Sequence, residues 1–136
     1  MNIDKFKHPH VKIYSCIRSL RECASAGIVE NAREIAALVV SMSSLIKLHL
    51  TVEDSVLYPA LQASNSRKVA KMGQEYQNEM KGIAKAYEVF ARKWNTPESV
   101  AGDPEGFRAD ANTVLKTLFV RVQREDSEFY PAIEAV

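Results

Sequence analysis

The chain has 136 residues, 46% of them hydrophobic, and its 18 basic and 17 acidic residues leave a formal net charge of +1. This length suits one domain with a substantial core, so a single domain over residues 1–136 is expected. The balanced charge argues against a nucleic-acid partner, because a phosphate-binding surface needs a clear basic excess. No apolar run approaches the roughly 20 residues of a membrane span, which predicts no membrane association.

The N-terminal residues and the cysteines indicate a cytoplasmic protein. Residues 1–5 are not followed by an apolar signal region, so secretion is not expected. Cys16 and Cys23 lie roughly 10 Å apart along one predicted helix. Because a disulfide requires Cα atoms within about 7 Å of each other, the sequence predicts two free thiols in a reducing cytosol.

The first helix is predicted from Pro9, which suits a first helical turn, to Ala26, since Gly27 suits the position after a helix end. Its inward stripe advances by alternating steps of three and four residues, which is typical of one helix face. That stripe is His10, Ile13, Ile17, Leu20 and Ala24. His8 lies two residues from His10, so both cannot face the core, and His8 is predicted at the surface.

The second helix is predicted to begin at Asn31, with Glu34 as the partner in a capping box. Its inward stripe is Ile35, Leu38, Met42, Leu45, His49, Val52/Glu53 and Val56. Pro59 is expected to end or bend this helix, because proline lacks the backbone N–H that the helix needs.

The third and fourth helices follow two polar or proline-containing connections. The third is predicted over residues 67–94, with the stripe Val69, Met72, Tyr76, Glu79/Met80, Ile83, Tyr87, Phe90 and Trp94. A loop follows, and Asp103-Pro104 indicates the fourth helix start, as an N-cap and a first-turn proline. The fourth stripe is Phe107, Ala111, Leu115, Leu118, Arg121/Val122, Glu125 and Phe129. Four amphipathic helices with short connections predict an all-α, antiparallel up-down-up-down four-helix bundle.

A nine-residue motif occurs twice, at matching places in helices two and four. Residues 53–61 (EDSVLYPAL) return as residues 125–133 (EDSEFYPAI). His49 stands four residues before the first copy, and Arg121 stands at the same place before the second. Because helix residues four apart share a side, His49 pairs with Glu53 and Arg121 with Glu125. This is the outline of a metal site inside a bundle, with one ligand changed to a cation.

The inward stripes also bring several ionisable side chains to one level of the predicted core. Buried carboxylates are costly unless they are paired or bind a metal, so a metal ion or a buried cation must neutralise them. Imidazole with carboxylate suits iron, manganese or zinc rather than calcium or magnesium. The candidate metal ligands are His10, His49, Glu53, Glu79 and Glu125, with Tyr76 and Arg121 as further candidates beside them.

Three segments resemble the hemerythrin family in its bacterial HHE cation-binding form. They are HxxI at residues 10–13, HLxxEDxxLYP at residues 49–59 and EDxxFYP at residues 125–131. The resemblance covers nearly the whole chain and implies a bundle with a non-haem di-iron centre. It matches His10 and His49 to histidine ligands, and Glu53 and Glu125 to bridging carboxylates.

Two of the family's usual histidine ligands are absent from this chain. The third-helix histidine is missing, which leaves Tyr76 and Glu79 as the inward candidates there, and the fourth-helix histidine is replaced by Arg121. These departures argue against a standard oxygen carrier.

Two functions follow from the same residues. In the first, an altered, carboxylate-rich site holds one or two non-haem irons, and the protein senses, binds or scavenges O2, peroxide or NO, or holds iron. In the alternative, a network between Arg121 and the glutamates replaces the metal, and the bundle is a protein-interaction or regulatory module. A peroxidase-like or catalase-like activity is a third option, for which the sequence shows no substrate pocket. The sequence names no protein partner.

Overall fold

Seven α-helices and two π-helical turns form the part of the chain that the computed structural model describes, residues 3–135, which contains no β-strand. The α-helices are α1 (Asp4–Ala26), α2 (Ala32–Val52), α3 (Tyr58–Gln62), α4 (Arg67–Lys93), α5 (Pro97–Gly102), α6 (Pro104–Arg124) and α7 (Tyr130–Glu134). Packing joins α1 to α2, α2 to α4, α4 to α6 and α6 back to α1. The predicted all-α four-helix bundle is confirmed.

The first helix begins earlier than predicted, at Asp4, so Pro9 lies inside it rather than at its first turn. Ile3 and Phe6 are each 1% exposed. Burying these apolar side chains stabilises the extra N-terminal residues despite the hydrogen bond that Pro9 cannot donate. The helix ends before Gly27, whose φ of +139° favours glycine.

Asn31 precedes α2 as predicted, but the capping box is not formed. The side chain of Asn31 accepts no cap hydrogen bond. Its amide donates instead to the carbonyl oxygens of Cys23 and Gly27, at 3.3 and 2.8 Å. Asn31 therefore caps the C-terminus of α1 rather than the N-terminus of α2. Cys16 and Cys23 are free thiols, as predicted.

Side-chain caps define the starts of α4 and α6. Ser66 Oγ accepts a hydrogen bond from the Val69 amide at 3.3 Å, and Asp103 Oδ1 accepts one from the Gly106 amide at 3.0 Å. The N-cap prediction for Asp103 is confirmed. The predicted loop before it contains the short helix α5.

Neither motif proline ends its helix. A π-helical turn, Glu53–Leu57, joins α2 to α3, and a second, Glu125–Phe129, joins α6 to α7. Each proline then occupies the first turn of the resumed α-helix, where its missing N–H costs little. In a regular α-helix, residues five apart differ by about 140° in direction. The wider π turn reduces that angle, so Tyr58 and Tyr130 face the interior together with Glu53 and Glu125.

The core has two apolar clusters with a polar layer between them. The larger cluster includes Ile13, Ile46, Met80 and Val122, and the smaller one includes Phe6, Leu57, Tyr76 and Phe129. On α1, on the α2–α3 run and on the α6–α7 run, buried polar residues separate the two clusters. These are His10, His49, Glu53, Arg121 and Glu125, each at most 3% exposed.

The continuous helical run Ala32–Gln62 is more apolar than expected. By length and composition it could cross a membrane, because an 18-residue window has a mean hydropathy of 1.8. The expectation that no apolar run is long enough therefore does not hold for this segment. Of that window, 33% is buried within the protein, and core helices of bundles meet the same criterion. The absence of a membrane partner stays a prediction.

Candidate metal centre

Three side chains from three helical runs converge in the polar layer. The potential ligand atoms of His10, His49 and Glu125 all lie within 4.8 Å of one another. His10 Nε2 is 3.1 Å from His49 Nε2 and 3.0 Å from Glu125 Oε1. His49 Nε2 lies 3.8 Å from Glu125 Oε1. The inward stripes of α1, α2 and α6 deliver these residues to one point, as the helical periodicity predicted.

Glu53 completes the group from one turn beyond His49. Its Oε2 lies 3.3 Å from His49 Nε2 and accepts a hydrogen bond from the Tyr130 hydroxyl at 3.0 Å. Its Oε1 accepts one from the Tyr58 hydroxyl at 3.4 Å. The two motif tyrosines therefore bring hydroxyl groups into the layer, a role that the sequence did not indicate. Glu53 and Tyr130 thus lie next to the group formed by His10, His49 and Glu125.

The two buried glutamates differ in charge. Burial raises the pKa of Glu53 to about 7, and the negative charge of Glu125 adds to this shift. Burial also opposes ionisation of Glu125, but hydrogen bonds from His10 and His49 and the charge of Arg121 outweigh it and lower its pKa to about 2. Glu125 therefore carries the negative charge, and Glu53 keeps its proton to a higher pH than an ordinary carboxyl group does.

Arg121 lies on the opposite side of the glutamates from the histidines. Its Nε donates to Glu125 Oε2 at 3.2 Å, and its Nη2 donates to the Tyr76 carbonyl at 2.8 Å and to the Tyr58 hydroxyl at 3.4 Å. Its Nη1 donates to Glu79 Oε1 at 3.2 Å. The side chain is buried, and nearby Glu125 contributes to raising its pKa although burial lowers it. Arg121 is therefore a fixed positive charge inside the bundle.

Glu79 does not face the core, which corrects the prediction that it is an inward ligand candidate. Its side chain is 45% exposed and accepts hydrogen bonds from Arg121 and Arg124. The helix α4 turns its Tyr76 and Met80 positions inward, so the intervening Glu79 lies at the edge of the stripe and reaches out to the arginines.

Tyr76 is a packing residue rather than part of the cluster. Its ring stacks on Phe129 with centroids 4.1 Å apart, and the Arg121 guanidinium carbon lies 4.5 Å from the Tyr76 ring centroid. The Tyr76 ring therefore supports the Arg121 guanidinium by a cation–π contact, and it does not contact the histidines.

Asp126 also contacts the cluster, which the sequence did not indicate. Its Oδ1 is 2.8 Å from His10 Nδ1, and its Oδ2 accepts a hydrogen bond from the Tyr14 hydroxyl at 3.1 Å. An acidic partner on Nδ1 fixes the imidazole so that Nε2 points at the cluster. The corresponding Asp54 is exposed, and its Oδ1 accepts a hydrogen bond from Gln77. The motif alone carries no signal that distinguishes the two aspartates.

His10 has its acidic neighbours on both ring nitrogens. Burial lowers its pKa, but the hydrogen bond and charge of Glu125, together with those of Asp126, outweigh burial and raise it. His8, by contrast, is exposed, as predicted.

The family model of the hemerythrin HHE cation binding domain matches residues 1–133. Neither a curated protein nor a solved structure matches the chain. The family match covers both copies of the repeated motif and the helix that carries His10. With the bundle and its buried histidine–glutamate layer, this match shows that the chain belongs to the hemerythrin family of HHE cation-binding domains.

Proposed function

We propose that the chain binds one non-haem iron ion in the polar layer and that this ion takes up a small ligand such as O2, NO or peroxide. The observation that carries the proposal is the convergence of His10, His49 and Glu125, whose donor atoms lie within 4.8 Å of one another. Two histidines and one carboxylate are the set that holds non-haem Fe(II) and leaves positions open for a ligand. The donors of this chain fit that metal.

Arg121 supports one ion rather than the two that the family resemblance implies. Glu125 presents Oε1 to the histidines and Oε2 to the Arg121 guanidinium, 3.2 Å away. Glu53 likewise turns Oε2 toward His49 and Oε1 toward Tyr58, which accepts from Arg121. Each carboxylate therefore has one oxygen on the histidine side and one on the guanidinium side. Arg121 cannot be a metal ligand, because arginine has no lone pair to donate. Its charge takes the place of a second cation beside the two carboxylates.

A surface groove lies on the guanidinium side of this layer. It has a volume of about 390 Å³ and reaches Arg121 between α4 and α6. Its lining residues are Glu79, Ile83, Lys116, Thr117, Val120, Arg121 and Arg124. Bound iron would supply a redox-active centre able to bind a small ligand, while the chain supplies its donors and a buried positive charge beside it.

The first test is metal content after anaerobic reconstitution with Fe(II), measured by elemental mass spectrometry. One iron per chain is expected in the wild type and none in His49→Ala, because this variant loses a central donor. His8→Ala is the matched control, since His8 is exposed, and it should keep the full iron content. A folded wild type that binds no iron would sink the proposal. An EPR change on adding NO to the ferrous protein tests ligand uptake.

Arg121→His tests the number of ions directly. This change removes the cation and adds an imidazole at the position that faces Glu125. The iron content should rise from one to two per chain. Two irons already present in the wild type would show that Arg121 does not take the place of the second ion.

The metal-free alternative also has a specific observation in its favour. Within residues 3–135, no buried side-chain nitrogen or oxygen lacks a hydrogen-bond partner. An Arg121–glutamate network is thus a complete polar core, and a folded bundle could act as an interaction module. The metal-content measurement separates the two functions, because this alternative expects no iron in the wild type or in any variant that retains Arg121.

A further inference from the structure

The hydroxyl of Tyr130 lies among the candidate metal ligands rather than outside them. We propose that Tyr130 supplies its hydroxyl oxygen as an additional ligand and makes the centre an iron–tyrosinate site when the iron is ferric. This inference rests on the proposed function, because it requires iron to bind in the polar layer. It adds a ligand of a chemical class that neither the repeated motif nor the family match assigns.

The spacing of the polar atoms carries the inference. Tyr130 Oη is 3.2 Å from His10 Nε2 and 3.0 Å from Glu53 Oε2. Two other neighbouring pairs have similar spacings, with 3.1 Å between the two Nε2 atoms and 3.3 Å from His49 Nε2 to Glu53 Oε2, whereas His49 Nε2 lies 3.8 Å from Glu125 Oε1. Ligands bound at right angles to one ion, with bonds of about 2.1 Å, lie about 3 Å apart. The phenol oxygen of Tyr130 therefore lies at the distance from its neighbours that is expected between ligands of one ion.

The ring position of Tyr130 is also fixed by its surroundings. Tyr130 is fully buried and stacks on the His10 ring, with centroids 5.3 Å apart. The π-helical turn that begins at Glu125 directs this residue inward, although it stands five positions beyond the glutamate. A side chain held by packing on an adjacent ligand keeps its oxygen in place without further ordering cost.

Tyr58, the corresponding residue of the other motif copy, lies on the opposite side of Glu53. Its hydroxyl donates to Glu53 Oε1 and accepts from Arg121 Nη2, each at 3.4 Å. These contacts place it beside the guanidinium rather than the imidazoles. The two tyrosines share sequence context and burial, so Tyr58 is a matched internal control.

Ligation exchanges an O–H bond for an oxygen–iron bond without any change in oxidation state. The phenol of Tyr130 releases its proton to the buffer as the oxygen–iron bond forms, and ionised Glu53, to whose Oε2 the hydroxyl donates, is the nearest group that can carry it. A ferric ion supplied as such requires no oxidant. Hard, highly charged cations favour anionic oxygen ligands, so ferric rather than ferrous loading is the condition that reveals the phenolate.

The test loads purified protein with ferric nitrilotriacetate, removes excess iron, and records iron content, visible absorption and resonance Raman spectra. The wild type should show a phenolate-to-iron charge-transfer band and resonance-enhanced tyrosine ring vibrations. Tyr130→Phe should bind iron but lose the band and these vibrations. Tyr58→Phe and Tyr14→Phe should keep both, since neither hydroxyl contacts the imidazoles. Circular dichroism checks that each variant is folded.

The outcomes separate this inference from the proposed function. Iron bound by the wild type without a charge-transfer band, or a band that persists in Tyr130→Phe, would overturn the tyrosinate ligand and leave the iron site intact. Iron absent from the wild type would overturn both. If Tyr130→Phe does not fold, the other four of the five tyrosines are each replaced by phenylalanine in protein labelled with ring-deuterated tyrosine. Shifted vibrations that persist in Tyr14→Phe, Tyr58→Phe, Tyr76→Phe and Tyr87→Phe would leave Tyr130 as the ligand, and their loss in any one variant, or unshifted vibrations, would exclude it.

Discussion

The two copies of the repeated motif share a backbone but not a charge state. Both contain a π-helical turn that begins at the glutamate, and both bury that glutamate and the tyrosine. The environment of Glu53 raises its pKa, whereas that of Glu125 lowers it. Burial and the negative charge of Glu125 raise the pKa of Glu53, whereas hydrogen bonds from His10 and His49 and the charge of Arg121 outweigh burial at Glu125. A motif can thus fix local geometry while its neighbours decide the chemistry.

The largest expected effect of a substitution in either motif region is the loss of stability in Arg121→Leu. Without the guanidinium, the buried carboxylate of Glu125 and the carbonyl of Tyr76 lose a donor. We expect a loss of about 3–5 kcal/mol in the free energy of unfolding, measured by urea denaturation in the presence of a chelator.

Arg124→Leu is the control for that change, because Arg124 also donates to Glu79 but has a side chain 43% exposed. It should cost at most about 1 kcal/mol. Similar small losses in both variants would mean that the buried guanidinium does not organise the polar layer.

In the presence of a chelator, Glu53→Gln should remove a pH dependence from the free energy of unfolding. Burial raises the folded-state pKa of Glu53 from its ordinary 4.5 to about 7, so the folded state holds a proton that the unfolded state releases. Stability is therefore greatest below the unfolded pKa, falls as pH rises through this interval, and reaches its lower value above the folded pKa. Between about pH 5 and pH 8, the free energy of unfolding of the wild type should fall by about 2–3 kcal/mol relative to that of Glu53→Gln.

Glu125→Gln is expected to act in the opposite direction. Since the pKa of Glu125 is lowered to about 2, its ionised form contributes stability above the unfolded pKa, and that contribution is lost as pH falls through the folded value. The variant should be less stable than the wild type at neutral pH and should lose less on acidification. Parallel pH profiles for the two glutamine variants would contradict the different charge states of the two copies.

Asp126→Asn should produce a smaller effect, on cation affinity. Asp126 fixes the His10 ring through Nδ1 at 2.8 Å, and second-sphere groups of this kind change metal affinity by about 10–100-fold. The matched change Asp54→Asn should leave affinity unaltered, because Asp54 contacts Gln77 at the surface. Competition titration against a chromophoric chelator measures the cation affinities of both variants. Equal affinities would show that Asp126 does not influence the metal centre.

The bundle and most of its central layer were predictable because their signals are periodic. The stripes of apolar residues define the inward faces, and a histidine or glutamate within a stripe is placed with them. This is why His10, His49, Glu53 and Glu125 were expected together and are found together. Whether they bind iron stays a prediction.

The errors have local physical causes. Glu79 lies at the edge of its stripe, where a long side chain can either enter the core or reach a surface arginine. The periodicity of the sequence does not decide between these two positions. The contact of Asp126 with His10 depends on the neighbouring helix and not on the motif, because Asp54 holds the same place in the other π turn and is exposed. Nothing in the motif indicates such a turn before the structure is known, apart from the two prolines.

The complete set of hydrogen bonds in the polar layer has a consequence for how strongly the fold depends on a cofactor. Within residues 3–135, every buried side-chain nitrogen and oxygen has a hydrogen-bond partner. Small metal-dependent domains are unfolded without their ion. In this chain the buried polar side chains also bind one another, so we expect removal of iron by a chelator to leave the bundle folded.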